Sequence, residues 1–265
     1  MLRLLLTRRW LGYLALTVAF AVVASLFGMW QWDRRGQAVA AIEKVDNNYD
    51  REPVPVASVI GTEALDAHTL EWIPVTLSGR YLPEEEVLVR TRPRLGSVGF
   101  EVLVPFVTED FSVMVNRGWV STGESQDSPD QVPPPPAGTI QLVARIKPTE
   151  PLLRGRGAPE GQIASIHLVS LQEMTSVNIR EDFFLALAQE NPQPTNVPLP
   201  TLRPELDEGP HLSYTFQWYL FAAMAFGGLW YMLRQEVRVH LGEDVSRKSS
   251  RDDEEEDALL DGVAR

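Results

Sequence analysis

Trp10 to Trp32 reads WLGYLALTVAFAVVASLFGMWQW, 23 residues without one charged side chain. A hydrocarbon core about 30 Å thick needs roughly 20 helical residues, so this run is long enough to span a bilayer. Aromatic rings gather at its rims, Trp10 and Tyr13 at one and Trp30 and Trp32 at the other. Amphipathic rings collect in this way at headgroup level. The apolar run exceeds a signal-peptide core and no small-x-small cleavage site follows it, so an uncleaved anchor is expected. Thr7-Arg8-Arg9-Trp10-Leu11 has the outline of a twin-arginine signal, but arginines flanking a span are ordinary.

Outward from this stretch, Tyr214 to Leu233 (YTFQWYLFAAMAFGGLWYML) is a second uncharged run of 20 residues, rimmed by Tyr214, Trp218, Trp230 and Tyr231. It is expected to be a second span. Arg3, Arg8, Arg9, Arg234, Arg238, Arg247 and Lys248 lie on the terminal sides of the two runs, against Arg34, Arg35, Lys44 and Arg203 on the inner sides. Seven against four places both termini in the cytoplasm. The expected fold is two transmembrane α-helices flanking a β-rich α+β extracytoplasmic domain. Its parts are a cytoplasmic N-terminus (1–9), helices at 10–32 and 214–233, the domain at 33–213 and a cytoplasmic acidic tail (234–265). That describes a multi-pass protein of the cell membrane, in contact with lipid. Ala24-x-x-x-Gly28 and Ala223-x-x-x-Gly227 offer small faces on which the helices could approach closely.

The whole chain has 265 residues, 24 Lys+Arg against 36 Asp+Glu, and no cysteine. A net charge of -12 disfavours a nucleic-acid partner. The missing cysteines remove disulfides, thiolate metal sites, iron–sulfur centres and a thiol nucleophile together. The run Asp252 to Asp257 (DDEEED) repels itself and is expected to be disordered.

Between the apolar runs, the first helix is expected to continue past Trp32 until Pro53 and Pro55 stop it. The periodicity then turns towards two. Strands are expected at Val75–Tyr81, Val87–Arg90, Phe100–Val107, Phe111–Trp119 and Thr139–Ile146, the third and fourth joined as a hairpin across Glu109-Asp110. Gln162–Leu168 is a candidate sixth strand, with a short helix near Ser170–Met174. Phe183–Ala188 (FFLALA) fits strand or helix equally. The proline-rich stretches 121–138 and 191–210 read as loop and tether. No βαβ repeat or Gly-rich nucleotide fingerprint is present, so the domain is α+β or barrel-like.

Of the four histidines, His68, His167 and His240 lack partners at metal-binding spacing, and neither H-E-x-x-H nor G-x-S-x-G occurs. No enzyme is expected. His211 stands apart because it precedes the second run by three residues, where an apolar macrocycle could lie against the helices. Neutral imidazole is a good axial ligand for haem iron, which makes His211 the one metal-ligand candidate. On a continued helix His211, Thr215, Trp218 and Ala222 share a face: a ligand, a polar group to orient a substituent and a flat apolar wall. An interfacial histidine that merely meets water is the plainer reading. Asn116-Arg117-Gly118-Trp119 ends a strand, where the Arg117 fork could fix a carboxylate such as a cofactor propionate. The plainer reading is a hairpin-end cluster in which Arg117 caps carbonyls or pairs with an acid.

Four blocks in order, Gly28-Met29-Trp30-Gln31-Trp32 with Arg35, Gly99–Phe106 (GFEVLVPF), Val115–Val120 (VNRGWV), and His211-Leu212-Ser213-Tyr214 leading to Trp218, resemble the SURF1 (Shy1) family of cytochrome c oxidase assembly proteins. The resemblance implies a role in maturing a haem-copper oxidase of the respiratory chain. Its bacterial members are thought to bind haem a transiently and help deliver it to oxidase subunit I. The family's functional histidine maps onto His211 and the NRGW block onto 116–119. Ser121, Thr215 and Gly209-Pro210 depart from the family's usual residues. The alternative is an interaction protein that stabilises the oxidase, or a respiratory supercomplex, without touching haem.

Overall fold

The apolar run that opens the chain is one part of a longer helix, α1 (Arg8–Asn48), which continues unbroken for 41 residues. It ends before the prolines: the Asn48 side chain donates to the Glu71 carbonyl at 2.9 Å, and the backbone leaves the helical path at Tyr49. The computed structural model describes residues 7–60 and 66–240. The acidic stretch expected to be disordered and the first residues of the N-terminus lie outside them. Contacts divide the chain into a helical unit, Met1–Val39 with Glu208–Arg265, and a β unit, Ala40–Asp207.

The second apolar run is helical, forming α3 (His211–His240), but it corrects the expected membrane topology. Among the described residues α1 alone is long and apolar enough to cross a membrane. The centre of α1 is Leu, Val, Ala and Phe, whereas α3 interrupts its aliphatic residues with Gln217, Trp218, Tyr219, Trp230 and Tyr231. Those side chains partition into hydrocarbon less readily than aliphatic ones. The two-span, multi-pass arrangement is therefore replaced by one membrane-length helix among the described residues. The placement of both termini in the cytoplasm, which depended on two spans, falls with it.

The β unit is a single mixed sheet of eight strands, in the order β1 (Val54–Pro55), β2 (Pro74–Tyr81), β6 (Ile140–Pro148), β8 (Phe183–Asn191), β5 (Ser112–Ser121), β4 (Ser97–Val107), β3 (Val87–Arg94), β7 (Gln162–Ile163). One further pairing closes it. β2 pairs antiparallel with β6 through residues 74–79 and then with β4 through Arg80 and Tyr81, so β2, β4, β5, β8 and β6 form a ring. Within that ring only β5 and β8 run parallel. Numbering the ring strands in chain order gives 1-2-3-5-4 and back to 1, the connectivity of OB-type barrels.

Alternation decides what lies inside. Val102, Val104 and Phe106 of β4, Val113 and Val115 of β5, and Phe183 and Leu185 of β8 point into the barrel. Leu103, Met114 and Phe184 point out and are equally buried, because a second core forms beneath the short helix α2 (Leu168–Gln172) with Ile166, Leu168 and Leu171. Side chains buried on both faces explain why FFLALA shows no alternation; it is a strand. The candidate sixth strand contributes only two residues to the sheet as β7, and the helix begins two residues earlier than expected. In OB-type barrels the outer face of the second and third strands is the usual ligand surface. Here β3, β7 and α2, all from the loops flanking that face, fill most of it.

Candidate functional site

Helix α3 begins directly after Gly209-Pro210, and its first backbone bond runs from Tyr214 N to the Pro210 carbonyl at 3.1 Å. It packs antiparallel to α1: Glu236 meets Arg9, Trp218 meets Phe27 and His211 meets Gln31. The Trp218 and Phe27 rings stack with centroids 4.8 Å apart and planes 23° apart, and Phe221 adds an edge to Trp218 at 5.9 Å. Ala24 and Gly28 of α1 sit in the contact, Gly28 beneath the Tyr219 ring. On α3 the buried small residue is Ala222; Ala223 and Gly227, the expected pair, face outward.

His211 is the first residue of α3 and is half-buried. Its Nδ1 lies 2.8 Å from the Gln31 amide oxygen. An amide oxygen only accepts, so this contact suits an imidazole that donates from Nδ1. Thr215 is buried, and its hydroxyl donates to the His211 carbonyl at 2.9 Å, within its own helix. That bond anchors the histidine's backbone and occupies the group expected to orient a substituent. His211, Thr215, Trp218 and Ala222 do share a face, but the face is turned towards α1, and Phe27 covers one side of the Trp218 ring. Beside them Arg35 pairs with Glu208 at 2.8 Å and lies over the Trp32 ring.

Arg117 belongs to the β unit, and every partner it has is there. Its side chain is 0% exposed and that of its ion-pair partner Glu190 is 3% exposed, with 3.1 Å between them. It also donates to the Pro133 carbonyl at 2.7 Å. The Tyr81 hydroxyl donates to the other Glu190 oxygen at 2.9 Å. Burial, and then the neighbouring Glu190 carboxylate, push the Tyr81 phenol far above its ordinary value. The rest of the block is structural as well. Asn116 Oδ1 accepts from the Gly118 amide, Trp119 Nε1 donates to the Arg92 carbonyl at 2.8 Å, and Trp119 and Leu199 exchange backbone bonds. Gly118 has φ +129°, and a Cβ there would lie 2.3 Å from the Leu199 oxygen, so the tether can reach Trp119 only past a glycine.

The part of the OB-type ligand face left open is a cavity of about 270 Å³ between Trp72, Glu101, Asn116, Trp119, Lys147 and Phe184. Its charges are matched internally: Arg92 holds Glu101 at 3.1 Å and Glu150 at 2.5 Å, and Lys147 holds Glu71 at 2.6 Å while lying over Trp72. Burial raises the Glu101 carboxyl despite the adjacent Arg92. Among the described residues no group of three or more His, Asp or Glu is placed to hold a metal ion.

Reading the sequence missed two partners, Gln31 and Glu190. Gln31 had a signal: it is the one amide in the uncharged first run, where an unpaired amide is costly. Glu190 had none, being 73 residues from Arg117.

A family model described as SURF1 family matches residues 18–223. An uncharacterized SURF1-like protein of Mycobacterium tuberculosis is 31% identical over 243 residues, 89% of this chain and 88% of its own length. The cytochrome oxidase assembly protein SHY1 of Saccharomyces cerevisiae is 28% identical over 119 residues, 44% of this chain and 30% of its own. A SURF1-like protein of Caenorhabditis elegans is 24% identical over 175 residues, 57% of this chain and 53% of its own.

Proposed function

Because the chain belongs to the SURF1 family, we propose that it is a non-enzymatic assembly factor for a haem-copper oxidase, and that it presents haem a for insertion into subunit I. One observation carries the haem reading: His211 Nδ1 lies 2.8 Å from the Gln31 amide oxygen, and two turns further along α3 the Trp218 ring stacks on Phe27. When bound, haem would supply an iron that a neutral imidazole could ligate. His211 would be the ligand, and the aromatic surroundings suit an apolar macrocycle. A single protein ligand on a half-buried residue favours release over retention, as a carrier requires. The Arg117 guanidinium is held inside the barrel by Glu190 and the Pro133 carbonyl, and we assign it to the fold of the β unit rather than to the cofactor.

The test is titration of the detergent-purified full chain with haem. His211→Ala should weaken binding while leaving the circular dichroism spectrum unchanged, and equal affinity in the folded variant would remove the ligand role.

A second reading, an interaction protein that stabilises the oxidase without haem, is favoured by the stacking of Phe27 on Trp218, which fills the wall expected to receive a macrocycle. Protein purified from cells that make haem a separates the two. A Soret band supports the first reading, and a colourless protein that copurifies with oxidase subunits supports the second.

A further inference from the structure

Gln31 sits one residue before the end of an uncharged 23-residue run, and its amide oxygen is directed at an imidazole 180 residues away. The contact is 2.8 Å, and the histidine it holds is anchored a second time through Thr215 on the His211 carbonyl. On the other side of the ring stands Gly209, at φ +68°. A Cβ there would lie 3.5 Å from both Nε2 and Cδ2, along the edge by which anything ligated to Nε2 must approach. One residue thus faces Nδ1 with an amide oxygen, and a residue without a side chain stands beside Nε2.

We infer that Gln31 is the positioning residue that holds His211 in its Nδ1–H form, so that Nε2 is presented as a metal-ligating nitrogen. This rests on the haem-handling reading for its purpose, but not for its measurement. The chemistry is that of ligating histidines generally, whose second ring nitrogen donates to a fixed acceptor that sets tautomer and orientation. An amide supplies that acceptor without adding a charge beside apolar helices, whereas a carboxylate would add one. The ligand class is a planar, apolar metal macrocycle that would accept one imidazole nitrogen. Were the amide reversed, its NH₂ would donate to Nδ1, and Nε2 would carry the proton and be closed to metal.

The experiment is ¹⁵N NMR of the full chain in detergent micelles, labelled at histidine, at a pH well above the ordinary imidazole value of about 6.5. The chain has four histidines, so His211 is assigned by its loss in His211→Ala. The wild type should show a protonated Nδ1 and a bare Nε2. Gln31→Met, nearly isosteric and without an acceptor, should give a mixture of tautomers, and Gln31→Glu should restore the single form. Ferric protoporphyrin IX should bind Gln31→Met about 10–100-fold more weakly than wild type, with Gln31→Glu recovering affinity. A wild-type His211 protonated at Nε2, or a tautomer unchanged in Gln31→Met, overturns the inference. If the wild type shows the Nδ1–H form but does not bind the porphyrin, the haem reading fails while the hold of Gln31 on His211 stands.

Discussion

Removing the Glu190 carboxylate, as in Glu190→Ala, isolates a charge inside the barrel. Arg117 has no exposed side-chain surface, and after the substitution its guanidinium keeps the Pro133 carbonyl at 2.7 Å and a marginal contact to Pro134 at 3.5 Å. Breaking a buried ion pair from one side costs about 3–5 kcal/mol. The Tyr81 hydroxyl also loses its acceptor, worth about 1–3 kcal/mol for a buried group left unpaired. The two costs overlap, so about 4 kcal/mol is expected in all, a large part of the roughly 5–15 kcal/mol that holds a domain folded. With a urea slope of about 1–3 kcal/mol per molar, the unfolding midpoint should fall by more than 1 M. The assay is urea unfolding of the full chain in detergent, followed by tryptophan fluorescence, because Trp72 and Trp119 lie in the β unit. Arg117→Met with Glu190→Met removes both charges and should be less destabilised than either single change, since a buried pair replaced by apolar residues costs little. A loss for Glu190→Ala within the about 0.5 kcal/mol of an ordinary surface substitution, or a double variant as unstable as the sum of its parts, would refute the reasoning.

Glu101 carries a pH signature. Its folded carboxyl is raised by burial, so between its unfolded and folded values the native state binds the extra proton. Its contribution to stability is therefore greatest below the unfolded value of about 4.3 and is lost as pH rises through the folded one. Midpoints for wild type and Glu101→Gln, measured from neutral pH downward, should shift in favour of the wild type, and parallel profiles would contradict this. Gly28→Leu places a side chain where even a Cβ would come within 3.0 Å of the Tyr219 ring. It should cost about 1–3 kcal/mol in the α1–α3 contact, read as a lowered thermal midpoint of far-ultraviolet helix signal. Trp119→Phe removes the donor to the Arg92 carbonyl and should cost about 1 kcal/mol. Gly118→Ala should cost more, because it collides with the Leu199 carbonyl and loosens residues 198–200, visible as faster proteolysis of that segment.

Local periodicity was enough for the long strands: five expected runs are β2 to β6, and the Glu109-Asp110 connection does join a hairpin. It was not enough where a segment is apolar on both faces, as at Phe183, or where only two residues join the sheet, as at Gln162. Closure of the ring could not be read either, since it depends on β2 changing partner at Arg80. At the candidate site the position of His211 was legible because it punctuates the start of an apolar run. Its acceptor was not, because the pair is made by two helices at opposite ends of the chain. Charge counting around the second run misleads, because the tyrosines, tryptophans and glutamine of that run make it less apolar than the centre of α1.

The ring order has a consequence for how the barrel comes to exist. β8 fits between β5 and β6, yet it is the last of the five ring strands to leave the ribosome. From Ser121 to Phe183 the chain must lengthen by roughly 60 residues, several seconds at about 5–20 residues per second. The margin of β5 that β8 will take stands bare throughout that interval, and the matching margin of β6 stands bare from residue 148 onward, after the leading helix has already been made. A newborn copy therefore passes through a stage with two unzipped strands awaiting the same late arrival, and a stall before residue 183 would leave a half-built cylinder prone to pairing with its neighbours.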